Sequence, residues 1–121
     1  MKKNADNTIK GPTITYPKST LHELLAKQAE SDPNAMALQF GEDRIRYGEL
    51  QKRIDQAAKN LWSIGVRPNQ VVAVSLERCP DLIVCLFGIL QCGAAYIPID
   101  TAYPDARLKL MVADSGADFV I

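Results

Sequence analysis

Few side chains in this sequence are of the kinds that move protons, attack carbonyl carbons or hold metals. The single histidine, His22, falls at the second position of an expected helix, where it meets solvent. A general base needs a nucleophile in reach and a third group to orient it, and the neighbouring residues suggest neither. Cys79, Cys85 and Cys92 are odd in number, lie in apolar surroundings and lack the C-x-x-C spacing of a zinc or redox site. They read as small buried hydrophobes in a reduced compartment. Asp100 and Asp105 bracket a turn and could be imagined as an acid and base pair. The simpler reading has them start that turn and sit near the positive end of the helix after it. Tyr47, Tyr96 and Tyr103, at strand and turn positions, read as packing groups. The seven glycines (Gly11, Gly41, Gly48, Gly65, Gly88, Gly93 and Gly116) are nowhere closer than five residues apart. No glycine-rich loop of free N–H groups, the usual cradle for phosphate, is built from them. No catalytic, cofactor-binding or metal-ligating residue is therefore assigned on residue type and spacing alone.

The elements that would have to position any site are easier to read. A chain of 121 residues makes one domain and buries roughly two-thirds of its unfolded surface. With 47% hydrophobic and 23% charged residues it falls in the globular range, away from disorder and fibrous repeats. Fourteen basic residues balance fourteen acidic ones. Because the two signs are interspersed, there is no footprint for nucleic acid or an anionic membrane. The oily stretch Leu82 to Leu90 is about half the ~20 residues of a membrane span, and the N-terminus lacks the apolar core of a secretory signal. A cytoplasmic protein is expected.

Residues 1–17 are polar, hold Gly11, Pro12 and Pro17, and are expected to form a flexible tail or linker; residues 18–121 form the domain. Thr20 and Glu23 fit a capping box, followed by an apolar stripe of Leu21, Leu24, Leu25 and Ala29. Pro33 ends that helix. Ala35 to Phe40 and Arg44 to Tyr47 read as a hairpin around Gly41-Glu42-Asp43. A second helix sets Leu50, Ile54, Ala57, Ala58, Leu61 and Trp62 on its apolar face and stops at Gly65. Gln70 to Leu76 is a buried strand. Pro80 opens a helix that is apolar almost all round and must be covered on most sides. Gly93 ends it, Ala95 to Ile99 is the next strand, Pro104 opens a last helix, and Asp118 to Ile121 begins one more strand. Strands joined through helices lie parallel. The fold class is therefore α/β, the first part of a doubly wound, mainly parallel sheet with helices on both faces. A sheet of that kind rarely stops as abruptly as this one, so the expected whole is a larger domain.

Two stretches carry a family likeness. Ile45-Arg46-Tyr47-Gly48-Glu49-Leu50 resembles the first core motif of the amino-acid adenylation domains of nonribosomal peptide synthetases, usually Leu-Thr-Tyr-x-Glu-Leu. Leu90-Gln91-Cys92-Gly93-Ala94-Ala95-Tyr96-Ile97-Pro98-Ile99-Asp100 resembles the second, usually Leu-Lys-Ala-Gly-x-Ala-Tyr-Val-Pro-Ile-Asp, and is the more specific. Tyr103-Pro104-Asp105-Ala106-Arg107-Leu108 and Thr20-Leu21-His22-Glu23-Leu24 are similar to the family too, so the likeness runs from about Tyr16 to Ile121. Among the departures, Arg46 stands where a threonine would cap the second helix, a loss of about 1 kcal/mol. Gln91 and Cys92 replace lysine and alanine, and Thr101 replaces a common proline.

The resemblance implies an enzyme that uses ATP and magnesium to turn an amino acid into its aminoacyl adenylate, then passes the acyl group to the phosphopantetheine thiol of a carrier protein. It also implies that the phosphate loop, the amino-acid pocket and the catalytic lysine lie in sequence beyond this chain, so that the chain alone binds no cofactor and is inactive. The partners implied are a carrier protein domain and the rest of the adenylation domain. Tyr47, Glu49, Leu50, Gly93, Ala95, Tyr96, Pro98, Asp100, Tyr103, Pro104 and Arg107 are motif positions of mainly structural character. Asp100, Tyr103 and Pro104 lie toward the approach of the pantetheine arm. The short tail implies that no condensation domain precedes this one. Two other readings remain open: another adenylate-forming ligase, loading D-alanine or an aryl acid, and a non-catalytic module that binds a partner through an open sheet edge.

Overall fold

Why the chain folds as it does is clearest at its two longest helices. The computed structural model describes residues 11–13, 15 and 18–121; most of the expected tail over residues 1–17 lies outside the described residues. Helix α1 (Leu21–Ser31) opens with the Glu23 carboxylate accepting the Thr20 N–H at 3.2 Å. Strands β1 (Met36–Phe40) and β2 (Asp43–Arg46) pair antiparallel, with Phe40 opposite Asp43 across the turn. Helix α2 (Tyr47–Ser63) follows without a break.

Arg46 gives α2 no side-chain cap, as the sequence predicts, but the first N–H groups of the helix find other acceptors. Tyr47 N–H donates to the Ala35 carbonyl and Gly48 N–H to the Pro33 carbonyl, both at 3.0 Å. The Arg46 guanidinium donates to the carbonyl of Asn34. Two carbonyls of the segment before β1 thus satisfy two of the orphan donors of the helix end without a threonine hydroxyl, and the Arg46 contact ties the same segment to the helix start. The approach is close: a Cβ on Gly48 would meet Pro33 Cβ at 3.1 Å.

Strand β3 (Val71–Val74), helix α3 (Pro80–Gln91), strand β4 (Ala95–Pro98), helix α4 (Asp105–Ser115) and strand β5 (Phe119–Val120) complete the chain. The three strands form a parallel sheet in the order β4-β3-β5. Moving one way for β4 and the other way for β5, right-handed crossovers place α3 and α4 on opposite faces. The side chains agree. Val72, Val74, Tyr96, Phe119 and Ile121 pack with α2 and α3, whereas Ser75, Ile99 and Val120 line a groove with Leu108, Val112 and Ala113 of α4. The parallel α/β sheet with helices on both faces is as the sequence predicts.

Helices α2 and α3 end in the same way. Val66 N–H donates to Leu61 C=O and Gly65 N–H to Trp62 C=O, both at 3.1 Å; Ala94 N–H donates to Ile89 C=O at 3.2 Å and Gly93 N–H to Leu90 C=O at 2.9 Å. Each is a Schellman pair, with glycine in the left-handed region at φ 109° for Gly65 and 78° for Gly93. The apolar contacts that accompany such ends, Val66 with Leu61 and Ala94 with Ile89, belong to the main core cluster.

Burial departs from expectation at three places. Leu21 and Leu24 of the α1 stripe are exposed, so that helix is held by Leu25 and Ala29. Trp62, expected on the buried face of α2, is 46% exposed; the Arg67 guanidinium stacks 4.1 Å over its ring instead. Of α3 only Val84, Gly88 and Ile89 are fully buried. Its remaining apolar side chains are half-buried, because α2 and the sheet cover two sides of it and leave the rest open.

Candidate functional site

In open α/β sheets ligands gather beyond the carboxyl ends of the strands, and here that edge is formed by Val74, Pro98 and the turn after β4. Pro98 pairs with Val74 as the last residue of β4, a position where its missing N–H interrupts no further ladder. Ile99 N–H then donates to Val74 C=O at 2.8 Å and its side chain is buried. The next residue turns out to solvent. Asp100 Oδ1 accepts the Ala102 N–H at 2.9 Å, an Asx-type bond that sets the turn locally. Pro104 is the N-cap of α4, and its carbonyl accepts from Arg107 and Leu108 at 2.9 and 3.0 Å. The Arg107 guanidinium lies 4.8 Å from the Tyr103 ring centroid.

Four motif positions, Asp100, Tyr103, Pro104 and Arg107, thus come together in one exposed turn and its helix start. Asp105 stands in the first turn of α4, where its charge complements the helix dipole. The other motif positions are scattered through the scaffold. Leu50 is buried beside Ile45, Ile54 and Val84, and Glu49 forms an exposed ion pair with Arg53. Gly93 supplies the left-handed turn, Ala95 begins β4 and Tyr96 packs against the core. Tyr103 is exposed and stacked by Arg107, so its packing is with a surface cation and not with the interior. His22 is half-exposed and its Nε2 lies 3.3 Å from Thr20 Oγ1.

One polar cluster escaped the sequence reading. Asp55 Oδ1 accepts from Gln51 at 2.9 Å and from Gln91 at 3.0 Å, tying α2 to α3. The available signal was Gln91 itself, an amide at the end of a largely apolar helix, where the second motif usually has lysine. The cysteines divide. Cys92 is buried and its thiol donates to Ala58 C=O at 3.4 Å, while Cys79 and Cys85 are half-buried. Burial pushes both the Cys85 and the Cys92 thiols up, with Arg67 partly opposing the effect at Cys92.

The turn from β3 into α3 carries Arg78, Cys79 and Pro80 where a phosphate loop would need small residues and free N–H groups. Among the described residues no group of three or more histidine, cysteine or carboxylate side chains stands together to hold an ion, and no helix is long and apolar enough to cross a membrane.

The family model described as "AMP-binding enzyme" matches residues 25–121. The chain belongs to the AMP-binding enzyme family. Among its relatives, bacitracin synthase 3 of Bacillus licheniformis is 42% identical over 106 residues, which cover 88% of the chain and 2% of the relative. The nonribosomal peptide synthetase FmoA3, in a form bound to alpha-methyl-L-serine-AMP, matches at a TM-score of 0.83 and 32% identity over 89% of this chain and 12% of that one. The N-terminal subdomain of Klebsiella oxytoca NpsA, in complex with 3-hydroxyanthranilyl-AMSN, matches at a TM-score of 0.79 over 83% of this chain and 26% of that one; at 22% identity it shows the fold alone. The fold is that of the N-terminal part of an adenylation domain, and the chain spans a small fraction of the proteins it matches.

Proposed function

We propose that this chain contributes the front part of the large lobe of an enzyme that activates an amino acid with ATP and passes it to a carrier-protein thiol in nonribosomal peptide synthesis. The observation that carries this reading is the likeness to FmoA3, a peptide synthetase bound to an aminoacyl-AMP, at 32% identity over 89% of the chain. The aryl-acid alternative has only the fold-level likeness to NpsA behind it, at 22% identity. ATP and magnesium would be held by residues outside this chain, since those present build no phosphate cradle. What these residues supply is the buried framework of α2, α3 and the sheet, and the exposed turn Asp100 to Pro104 at the strand ends.

The test is ATP–pyrophosphate exchange with a panel of amino acids, run on residues 1–121 and on the full-length gene product. The expected outcome is amino-acid-dependent exchange from the longer protein and none from the chain alone. Exchange from the chain alone would overturn the assignment of the working residues. Exchange with aryl acids only, from the longer protein, would replace the amino acid by an aryl substrate. For the turn, Tyr103→Ala in the longer protein is expected to lower carrier loading while leaving pyrophosphate exchange intact; equal loss of both would remove Asp100, Tyr103 and Pro104 from the pantetheine approach.

A further inference from the structure

The two outer strands of the parallel sheet bound it in different ways. On β4, Ala95 N–H donates to Gln70 C=O at 2.9 Å and Ile99 N–H to Val74 C=O at 2.8 Å, both toward β3. In a parallel strand each residue turns its N–H and C=O to one side and the side alternates, so Tyr96 and Pro98 face the outer edge. Pro98 has no N–H to offer there, and an edge proline is one of the ways natural sheets keep further strands away. On β5, Asp118 N–H donates to Val71 C=O at 2.8 Å and its carboxylate accepts the Val71 N–H at 2.9 Å. Ile121 N–H donates to Ala73 C=O at 2.9 Å, and its own carbonyl accepts from Ser75 at 2.7 Å. The strand is thus fixed to β3 at both ends. By the same alternation Val120 turns its N–H and C=O away from β3. Its side chain, 56% exposed, lines an apolar groove of about 430 Å³ with Ile99, Leu108 and Val112, where only Lys109 is charged. No proline and no charged residue lies between Phe119 and Ile121.

We propose that the sheet grows past β5 and not past β4, and that the strand added at β5 belongs to the same protein outside residues 1–121. One strand laid there takes the backbone groups of Val120. Because successive side chains alternate between the faces, it also sets every second one over the groove beside α4, where apolar residues fit. The inference rests on reading this chain as the front part of a large lobe. The NpsA subdomain of the same fold is matched over 26% of its length, so most of such a lobe lies outside these residues. A strand tethered in the same polypeptide acts at roughly millimolar effective concentration, which a second copy of the chain does not match. Pro98, a motif position with no chemistry of its own, thereby acquires a physical role as the guard of one edge.

The test is residue-resolved amide hydrogen exchange on the full-length gene product, read by mass spectrometry with electron-transfer fragmentation. Val120 and Tyr96 both turn their N–H groups away from β3, so the two amides of one molecule report on the two edges. Val120 N–H is expected to exchange at least about 100-fold more slowly than Tyr96 N–H. Val112→Asp, on the groove wall, should speed Val120 exchange about tenfold by placing a charge under the added strand, while Lys59→Glu on the opposite side of the sheet should not change it. The wild-type comparison of the two amides stands even if Val112→Asp fails to fold. Val120 exchanging as fast as Tyr96, or Tyr96 being the slower of the two, would overturn the proposal. So would protection of Val120 in residues 1–121 alone that rises with concentration, because the occupant would then be a second copy. These readings need no substrate: a longer protein that activates no amino acid but protects Val120 removes the assigned function and keeps the strand, and the converse result removes the strand alone.

Discussion

The two faces of the sheet are built to different standards. Toward α2 and α3 the side chains of Val72, Val74, Val66 and Ile89 are sealed, two helices end in matched Schellman pairs, and backbones approach to contact. A Cβ on Gly88 would lie 3.1 Å from Ala57 Cβ and 3.3 Å from Leu61 Cδ1. Toward α4 nothing on the helix is fully buried, Leu110 is 65% exposed, and an open apolar groove separates it from Ser75 and Val120. The difference teaches that the α2–α3 face is a finished core, while the α4 face has the apolar lining of a core without its cover.

Substitutions should break that contrast in graded fashion. The largest effect is expected from Ile54→Ala or Ile89→Ala, each fully buried, at about 2–5 kcal/mol in urea unfolding; Val112→Ala on α4 should cost under about 1 kcal/mol, since solvent already reaches it. A Val112→Ala loss equal to that at Ile89 would erase the distinction between the faces. Gly88→Val comes next, at roughly 1–3 kcal/mol by overpacking against α2. Gly93→Ala should cost about 1–2 kcal/mol, since it forces a left-handed alanine against Pro68. Arg46→Thr should change stability by less than about 1 kcal/mol, because the first two N–H groups of α2 are taken by backbone carbonyls; a larger gain would show that the Asn34 contact is a poor substitute for a hydroxyl. Glu49→Gln, in an exposed pair, should be nearly silent, within about 0.5 kcal/mol.

The thiols sharpen the same comparison through pH. Cys85 and Cys92 are raised by burial on the α2–α3 side. A thiol held up in the folded state favours folding below its unfolded pKa, and that contribution is lost as pH climbs past it, from about 9 upward. The urea midpoint should therefore be flat with respect to these groups at neutral pH and fall in alkali, with a shallower fall in Cys92→Ala. An unchanged alkaline slope in that variant would show that Cys92 titrates no differently when unfolded.

Much of the fold was legible because its signals are local. Pro80, Gly65, Gly93 and Gly116 mark helix ends by backbone chemistry that no distant residue overrides, and β-branched runs between them gave the strands. The exposed side chains were not legible. Periodicity places Trp62 on the apolar face of α2, but that face runs out at the last turn of the helix, where Arg67 folds back over the ring. Leu21 and Leu24 fit a stripe that the rest of the molecule reaches only at Leu25 and Ala29. The missing side-chain cap of α2 was legible at Arg46; the backbone acceptors that stand in for it, Pro33 and Ala35, lie beyond a hairpin and bear no side-chain signature. At the candidate site the sequence placed Asp100 to Pro104 in a turn. It gave no sign of the Arg107–Tyr103 stack, which depends on how α4 starts.

The paired helix ends at Gly65 and Gly93 have a consequence for how such a chain tolerates change. Both lie at the amino ends of strands, and Asn69 N–H donates to Gly93 C=O at 3.1 Å, so one helix end is gauged against the other. A single residue inserted between Gly93 and Ala95 would turn every side chain of β4 to the opposite face. The turn from Asp100 to Pro104, at the other ends of the strands, is held by its own local bond from Ala102 N–H to Asp100 Oδ1 and has no such gauge.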